Sequence, residues 1–169
     1  MEQRNPRFPR KNPQKSSTGP GLRARALGLL ARREYSRREL ESKLAQYTEK
    51  PHEIAELLDD FERRGWLSEQ RAMEQMTASR KGRFGARRIE HDLREKGIAE
   101  DVISAALPAL KEAEFEAART VWRKKFGKSP QNAAERGRQM RFLQSRGFAL
   151  ETAFRVIGTK EDDDEGHAQ

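Results

Sequence analysis

The residue types that most often carry chemistry in proteins form no catalytic or metal-binding pattern in this sequence. The histidines, His52, His91 and His167, are far apart and lack the i, i+4 pairing of a zinc-binding helix, so we expect solvent-exposed side chains. The glycine-containing turn at 82–85 lacks the Walker A pattern and a preceding strand, which argues against a nucleotide-binding loop. The carboxylates are interleaved with Arg and Lys, as on solvated helix faces. We therefore predict that the protein is not an enzyme and uses no cofactor and no metal.

The residues that stand out are basic, and they surround the turn at 82–85. Arg and Lys side chains can bind phosphate or carboxylate groups, and a turn with two glycines can bring backbone amides close to phosphate. A merely solvated charged face is the alternative. The candidate residues for binding a partner or DNA are Arg80, Lys81, Arg83, Arg87, Arg88, Arg94 and Lys96, followed further along by Arg123, Lys124, Lys125 and Arg141. The aromatic residues Phe115, Trp122 and Phe126 share one helical face, so we expect them in the core rather than on a base-stacking platform.

Composition favours a polyanionic partner and a thin hydrophobic core. The 169 residues carry a formal net charge of +8, with 34% hydrophobic and 37% charged residues. Such a balance suits amphipathic helices and predicts attraction to nucleic acid. There is no cysteine, no apolar run of the ~18 residues that cross a bilayer, and no signal-peptide pattern. We expect a cytoplasmic protein that neither spans nor contacts a membrane.

The two ends of the chain differ from the middle. Residues 1–21 are rich in Pro, Arg and Lys, and residues 159–169 contain the acidic run 161–165. Neither end has enough apolar residues to form a core, so we expect both to be disordered.

Between these ends the apolar residues recur at helical spacing, and no run alternates with the period of a strand. Residues 22–30 mark a first helix. Ser36 and Glu39 form a capping box, in which Ser36 is the N-cap and Glu39 reaches back to it, while Tyr35 and Leu40 occupy the hydrophobic-staple positions. A second helix therefore starts at Ser36, and Pro51 opens a third.

Three glycines predict helix ends and an internal repeat. Gly65 follows Phe61 and precedes Trp66 at the spacing of a Schellman motif, which predicts that the Trp66 ring is buried. Gly97 and Gly147 have the same spacing of apolar neighbours, and their surroundings match at an offset of about 50 residues. The predicted fold is all-α, with three tandem three-helix repeats at 22–67, 68–107 and 108–158 that form an elongated, curved array. Pro108 is expected to end one helix and to open the next.

The position of the charges bears on how the array would meet DNA. In a helix-turn-helix operator reader the final helix of the unit enters the major groove and is basic or amide-rich. Here the final helices of the predicted repeats are acidic, with Glu53, Glu56 and Asp59 in the first and Glu100 and Asp101 in the second. DNA would repel those helices, so we expect the binding surface in a groove formed by the first and second helices of the repeats.

Five segments, in order, resemble the successive signatures of the RecX family. They are 25–40 (RALGLLARREYSRREL), 65–71 (GWLSEQR), 79–89 (SRKGRFGARRI), 93–98 (LREKGI) and 142–148 (FLQSRGF). The third repeat departs most from the pattern, because Gln139 stands where the parallel with Ile89 predicts an apolar residue.

The resemblance implies a protein that lodges in the helical groove of a RecA filament on single-stranded DNA. It implies inhibition of ATP hydrolysis, strand exchange and promotion of SOS-repressor cleavage by RecA, together with some binding to single- or double-stranded DNA. We expect a monomer. A general DNA-binding protein of the architectural or repressor type is the alternative.

Overall fold

The computed structural model describes residues 20–158, and these form nine α-helices, one short 3-10 helix and no strand. The all-helical prediction is confirmed. Most of both predicted disordered ends lies outside the described residues, as does His167. The helices are α1 (Leu22–Leu30), α2 (Arg37–Leu44), the 3-10 helix (Ala45–Tyr47), α3 (Pro51–Arg63), α4 (Glu69–Arg80), α5 (Ala86–Glu95), α6 (Glu100–Glu112), α7 (Glu114–Lys125), α8 (Ala133–Ser145) and α9 (Leu150–Gly158).

The start of α2 follows the predicted N-cap but only half of the predicted capping box. The Ser36 hydroxyl oxygen accepts a hydrogen bond from the Glu39 backbone N–H at 3.1 Å, and Tyr35 and Leu40 are both buried. The Glu39 carboxylate does not turn back to Ser36. It lies 3.0 Å from Arg33 and 2.8 Å from Lys96, because two cations stabilise a carboxylate more than one amide does.

The three predicted glycine stops are confirmed as Schellman motifs. Gly65, Gly97 and Gly147 have φ of 69°, 72° and 82°. In each motif the next residue donates its N–H back to the carbonyl five residues earlier; Trp66 donates to Phe61 at 2.8 Å.

The predicted burial of Trp66 is wrong, although its predicted contact is present. Its ring packs edge-on against Phe61 with 5.4 Å between centroids, yet the residue keeps 42% of its surface exposed. The guanidinium groups of Arg23 and Arg64 lie over it at 5.4 and 5.3 Å. The side chain therefore lies at the rim of its core, where long cationic side chains cover it instead of another helix.

The hydrophobic residues form three separate cores, one for each successive set of three helices. The first is built from residues between 26 and 67, the second from residues between 72 and 110, and the third from residues between 118 and 157. Trp122 is buried in the third core, and Phe115 and Phe126 pack against it, as their shared helical face predicted. We refer to the three sets of helices as the first, second and third repeats; the residue boundaries at 67/68 and 107/108 stay a prediction.

The expectation that Pro108 separates two helices is wrong, because α6 continues through it to Glu112. Leu110, beyond the proline, packs into the second core. Pro108 and Ser104, one turn earlier, are both exposed, so water can solvate the Ser104 carbonyl that lacks a helical donor. Burial of Leu110 compensates for the lost hydrogen bond.

Gln139 occupies the buried position in the third core where the repeat predicted an apolar residue. Its side-chain oxygen accepts a hydrogen bond from the Trp122 indole N–H at 2.7 Å, and its amide donates to the Lys128 carbonyl at 3.1 Å. With both ends satisfied, the buried amide fixes the orientation of the Trp122 ring instead of destabilising the core.

Neighbouring repeats meet through similar joints. The Ser36 hydroxyl donates to the Lys96 carbonyl between the first and second repeats, and the Gly85 N–H donates to the Arg146 carbonyl at 2.9 Å between the second and third. Each joint includes a Schellman glycine in tight contact with the neighbouring helix: a Cβ at Gly147 would lie only 2.6 Å from the Arg88 backbone nitrogen.

Candidate nucleic-acid and partner interface

A positively charged cleft of about 460 Å³ lies where the second and third repeats meet. The residues that line this cationic cleft come from the turn after α4, the outer face of α7 and the end of α8. They are Gly82, Arg83, Thr120, Val121, Lys124, Lys125, Phe142 and Arg146. Four of them are cations and none is a carboxylate, so the lining favours an anionic ligand.

Local sequence explains why each side of the cleft presents its cations. On α7, Val121 and Trp122 face the third core, which turns Lys124 and Lys125 toward solvent at the carboxyl end of the helix. That end carries the negative pole of the helix dipole, which stabilises lysines there. On the opposite side, Gly82 has φ of 76° and ends α4, so that Arg83 projects from an exposed turn.

The buried carboxylate of Glu114 holds the two sides of the cleft in register. Glu114 begins α7 and is only 6% exposed. One of its oxygens accepts hydrogen bonds from the Ala86 N–H at 3.1 Å and the Ala149 N–H at 3.3 Å, and the other accepts from the Thr152 hydroxyl at 2.9 Å. One side chain therefore caps α5 of the second repeat and α9 of the third, where the positive poles of both helices stabilise its charge.

An aromatic surface lies beside the cations of the cleft. The Arg146 guanidinium lies 4.9 Å from the centre of the Phe142 ring, and Phe142 packs edge-on against Phe126 of the third core. Arg146 also donates to the Arg83 carbonyl at 3.4 Å. Phosphate and a planar group could thus be bound together, the phosphate by the cations and the planar group against the arginine and phenylalanine.

The structure brings three of the sequence-predicted residues, Arg83, Lys124 and Lys125, into the cleft. Four others instead pair with carboxylates of this chain. Arg80 and Arg88 lie 2.8 and 3.1 Å from the same carboxylate, that of Asp92. Arg94 contacts Glu90 at 2.5 Å and Glu100 at 2.7 Å, and Lys96 contacts Glu39. Their charges are largely matched within the protein.

The remaining predicted residues, Lys81, Arg87, Arg123 and Arg141, are exposed outside the cleft and have no ion pair with the part of the chain from 20 to 158. They extend the positive surface around the cleft.

Sequence reasoning missed Arg146 and Phe142 as site residues. Both lie in a segment that was noticed only for its glycine stop. The repeat contained a signal, because Arg146-Gly147 matches Lys96-Gly97 and both cations end the second helix of a repeat. Which of the two would be paired depended on a carboxylate far away in sequence: Lys96 contacts Glu39, whereas Arg146 has no comparable partner in the described range.

The described residues contain no group of three or more His, Asp or Glu side chains that could hold a metal ion. His52 and His91 are exposed, as predicted. None of the helices between residues 20 and 158 is long and apolar enough to cross a membrane.

These features define a class of protein: a tandem array of three-helix repeats with a cationic cleft at a joint between repeats. Two family models match in that arrangement, the second three-helix domain of RecX over residues 68–107 and the third over residues 112–157. The chain belongs to the RecX family.

Individual relatives agree with this assignment. The chain is 46% identical over 136 residues to the regulatory protein RecX of Leptothrix cholodnii, covering 80% of this chain and 87% of the relative. It is 39% identical over 149 residues to that of Chromobacterium violaceum, covering 88% and 97%. The crystal structure of RecX from Lactobacillus salivarius superposes with a TM-score of 0.70 over 80% of this chain and 92% of that one, at 18% identity, and so supports the fold.

Proposed function

We propose that this protein is a negative regulator of RecA that binds the RecA filament on single-stranded DNA. On this proposal it inhibits ATP hydrolysis, strand exchange and co-protease activity, and it turns over no substrate. Membership of a family of regulatory proteins supports the proposal. The structural observation that carries it is the cationic cleft, where four cations and no carboxylate line one concave surface.

The cleft would contact the filament through its anionic groups. Its cations can bind phosphates of the DNA, carboxylates of the recombinase, or both. The joint that Glu114 and the glycine contacts create is rigid, so these cations are held in place before binding, and less conformational entropy is lost when a partner docks. The proposed partner places the protein in the cytoplasm, acting as a monomer.

A general DNA-binding role remains the competing function, and the chemistry of the third helices weighs against operator reading. In α3, the carboxylates of Asp59 and Glu62 are exposed and bind Arg37 at 2.6 Å each. A recognition helix with this charge would be repelled by the major groove.

The test is RecA-catalysed ATP hydrolysis on single-stranded DNA, titrated with the protein. We expect inhibition by the parent and at least about tenfold weaker inhibition by a cleft variant that combines Arg83→Gln, Lys124→Gln, Lys125→Gln and Arg146→Gln, because several phosphate or carboxylate contacts are lost. A matched variant removes the same charge from exposed positions elsewhere: Lys50→Gln, Arg63→Gln, Lys111→Gln and Arg138→Gln.

The matched variant should inhibit like the parent, and both variants should melt within a few degrees of it, because exposed charges contribute little to stability. Equal inhibition by the cleft variant and the parent would overturn the placement of the site. Absence of inhibition by the parent would overturn the proposed function itself.

A further inference from the structure

A second cationic groove, of about 380 Å³, lies in the first repeat, away from the cationic cleft. We call it the amino-terminal groove. It runs between α1 and the end of α2 with the following 3-10 helix. Its lining residues are Pro20, Ala24, Arg25, Gly28, Leu29, Arg32, Lys43, Gln46 and Tyr47. As in the cationic cleft, the lining contains cations and an aromatic ring and no carboxylate.

The cations of the first repeat are sorted between this groove and the rest of its surface. Outside the groove, Arg23 lies 2.9 Å from Asp60, Arg33 lies 3.0 Å from Glu39, and Arg37 binds two carboxylates. Inside it, Arg25, Arg32 and Lys43 have no ion pair with any carboxylate in the 20–158 range. A surface whose charges merely kept the protein soluble would not separate matched from unmatched cations so completely.

Gly28 leaves the floor of the groove open for no reason internal to the protein. It lies in the middle of α1, where glycine is less favourable than alanine, and a Cβ there would meet no atom within 4 Å. Neither close packing nor backbone conformation requires glycine at this position. A ligand that approaches the helix surface would.

The groove also presents an exposed stacked pair. Tyr47 keeps 48% of its surface exposed, and the Arg25 guanidinium lies 4.1 Å from the centre of its ring. The Arg25 Nε–H donates to the Pro20 carbonyl at 2.8 Å, which holds the guanidinium over the ring. The pair forms a platform with the dimensions of a stacked base, beside free cations.

We propose that the amino-terminal groove is a binding site for single-stranded nucleic acid. One base stacks on the Arg25–Tyr47 platform over Gly28, and Arg32 and Lys43 bind the adjoining phosphates. The aromatic surface favours nucleic acid over an acidic peptide, since a carboxylate gains little from stacking. It favours a single strand over a duplex, since paired bases are not free to stack on a side chain. The site is independent of RecA and distinct from the cationic cleft.

Substitutions at Gly28 separate occlusion of the groove from damage to the fold. Gly28→Gln adds a neutral, helix-favouring side chain that fills the floor, and Gly28→Ala adds only a methyl group to the same open space. Both variants should melt at or above the temperature of the parent. In fluorescence anisotropy with a labelled oligothymidylate and no RecA, Gly28→Gln should bind at least about fivefold more weakly, the loss expected for one stacked base, and Gly28→Ala should bind like the parent.

A second variant and a cross-link identify the contacts directly. The variant Arg25→Gln, Arg32→Gln and Lys43→Gln should lower the slope of log affinity against log salt by about 2, and the matched Arg63→Gln, Lys111→Gln and Arg138→Gln variant should change affinity much less. An oligonucleotide that contains 5-iodouracil should cross-link to Tyr47 on irradiation.

Unchanged affinity of Gly28→Gln together with no cross-link at Tyr47 would overturn the proposal, as would Gly28→Gln losing binding to polyglutamate but not to the oligonucleotide. These measurements contain no RecA, so their failure is distinguishable from failure of the proposed regulatory function.

Discussion

The most demanding test of the joint between the second and third repeats is removal of the Glu114 carboxylate. Glu114→Ala deletes the acceptor of three hydrogen bonds at once, two from the backbone N–H groups of Ala86 and Ala149 and one from the Thr152 hydroxyl. No other side chain bonds to these three donors in the described structure.

The cost follows from how accessible these donors are to water. A buried donor that loses its partner costs about 1–3 kcal/mol. Ala86 is buried and its N–H would bear the full cost, whereas Ala149 and Thr152 are half-buried and water can partly replace the carboxylate. Removing a buried charge also recovers some desolvation energy. We expect a loss of about 3 kcal/mol, which for a chain of this size lowers the melting temperature by about 6–12 °C.

The assay is thermal and urea denaturation followed by far-UV circular dichroism, with two comparisons. Glu116→Ala removes an exposed carboxylate from the same turn of α7 and should cost less than about 1 kcal/mol. Glu114→Gln keeps a side-chain oxygen for the amides and should cost about 1 kcal/mol. If Glu114→Ala were as stable as Glu116→Ala, the carboxylate would not hold the joint, and the account of how the cationic cleft is positioned would be refuted.

Three further predictions concern the fold. Trp66→Ala should cost about 1 kcal/mol, because its ring is half exposed, against about 3–5 kcal/mol for the buried Phe61→Ala; equal losses in urea denaturation would contradict this. Gly147→Ala should cost more than Gly65→Ala, because both need positive φ but only Gly147 presses on Arg88, so a reversed order of melting temperatures would count against the joint. At Glu39 burial raises the carboxyl pKa, but the hydrogen bonds from Arg33 and Lys96 outweigh it and lower the pKa below the ordinary 4.5. The stabilisation is therefore complete above that value and is lost as pH falls through the lower folded-state pKa, so Glu39→Gln should lose less stability on acidification than the parent, and parallel curves would disprove it.

Features set by neighbouring residues were predictable from the sequence. The Ser36 cap and the three glycine stops depend on a few residues at fixed spacing, and each formed as the sequence predicted. The failures arose where tertiary packing decides. Pro108 lies within a helix because Leu110 finds a core beyond it, and Trp66 stays exposed because no neighbouring helix covers it.

The same distinction explains how much of the candidate site could be predicted. The sequence identified the positive turn and the lysines at the end of α7 but not their meeting point, which depends on how α7 and α8 pack against the second repeat. It also could not show which cations are matched. The i, i+4 spacing of Arg88 and Asp92 predicts a local pair, but nothing local indicates that Arg80 reaches the same carboxylate.

The central claim, that this protein regulates RecA by binding its filament, is tested most directly by comparing two equilibrium affinities at physiological salt. One is for single-stranded DNA alone, and the other is for the same DNA coated with RecA and a non-hydrolysable ATP analogue. The account predicts modest binding to naked DNA and binding at least about tenfold tighter to the filament, with that gain lost in the four-residue cleft variant. Equal affinity for the two, or equally tight filament binding by the cleft variant, would contradict it.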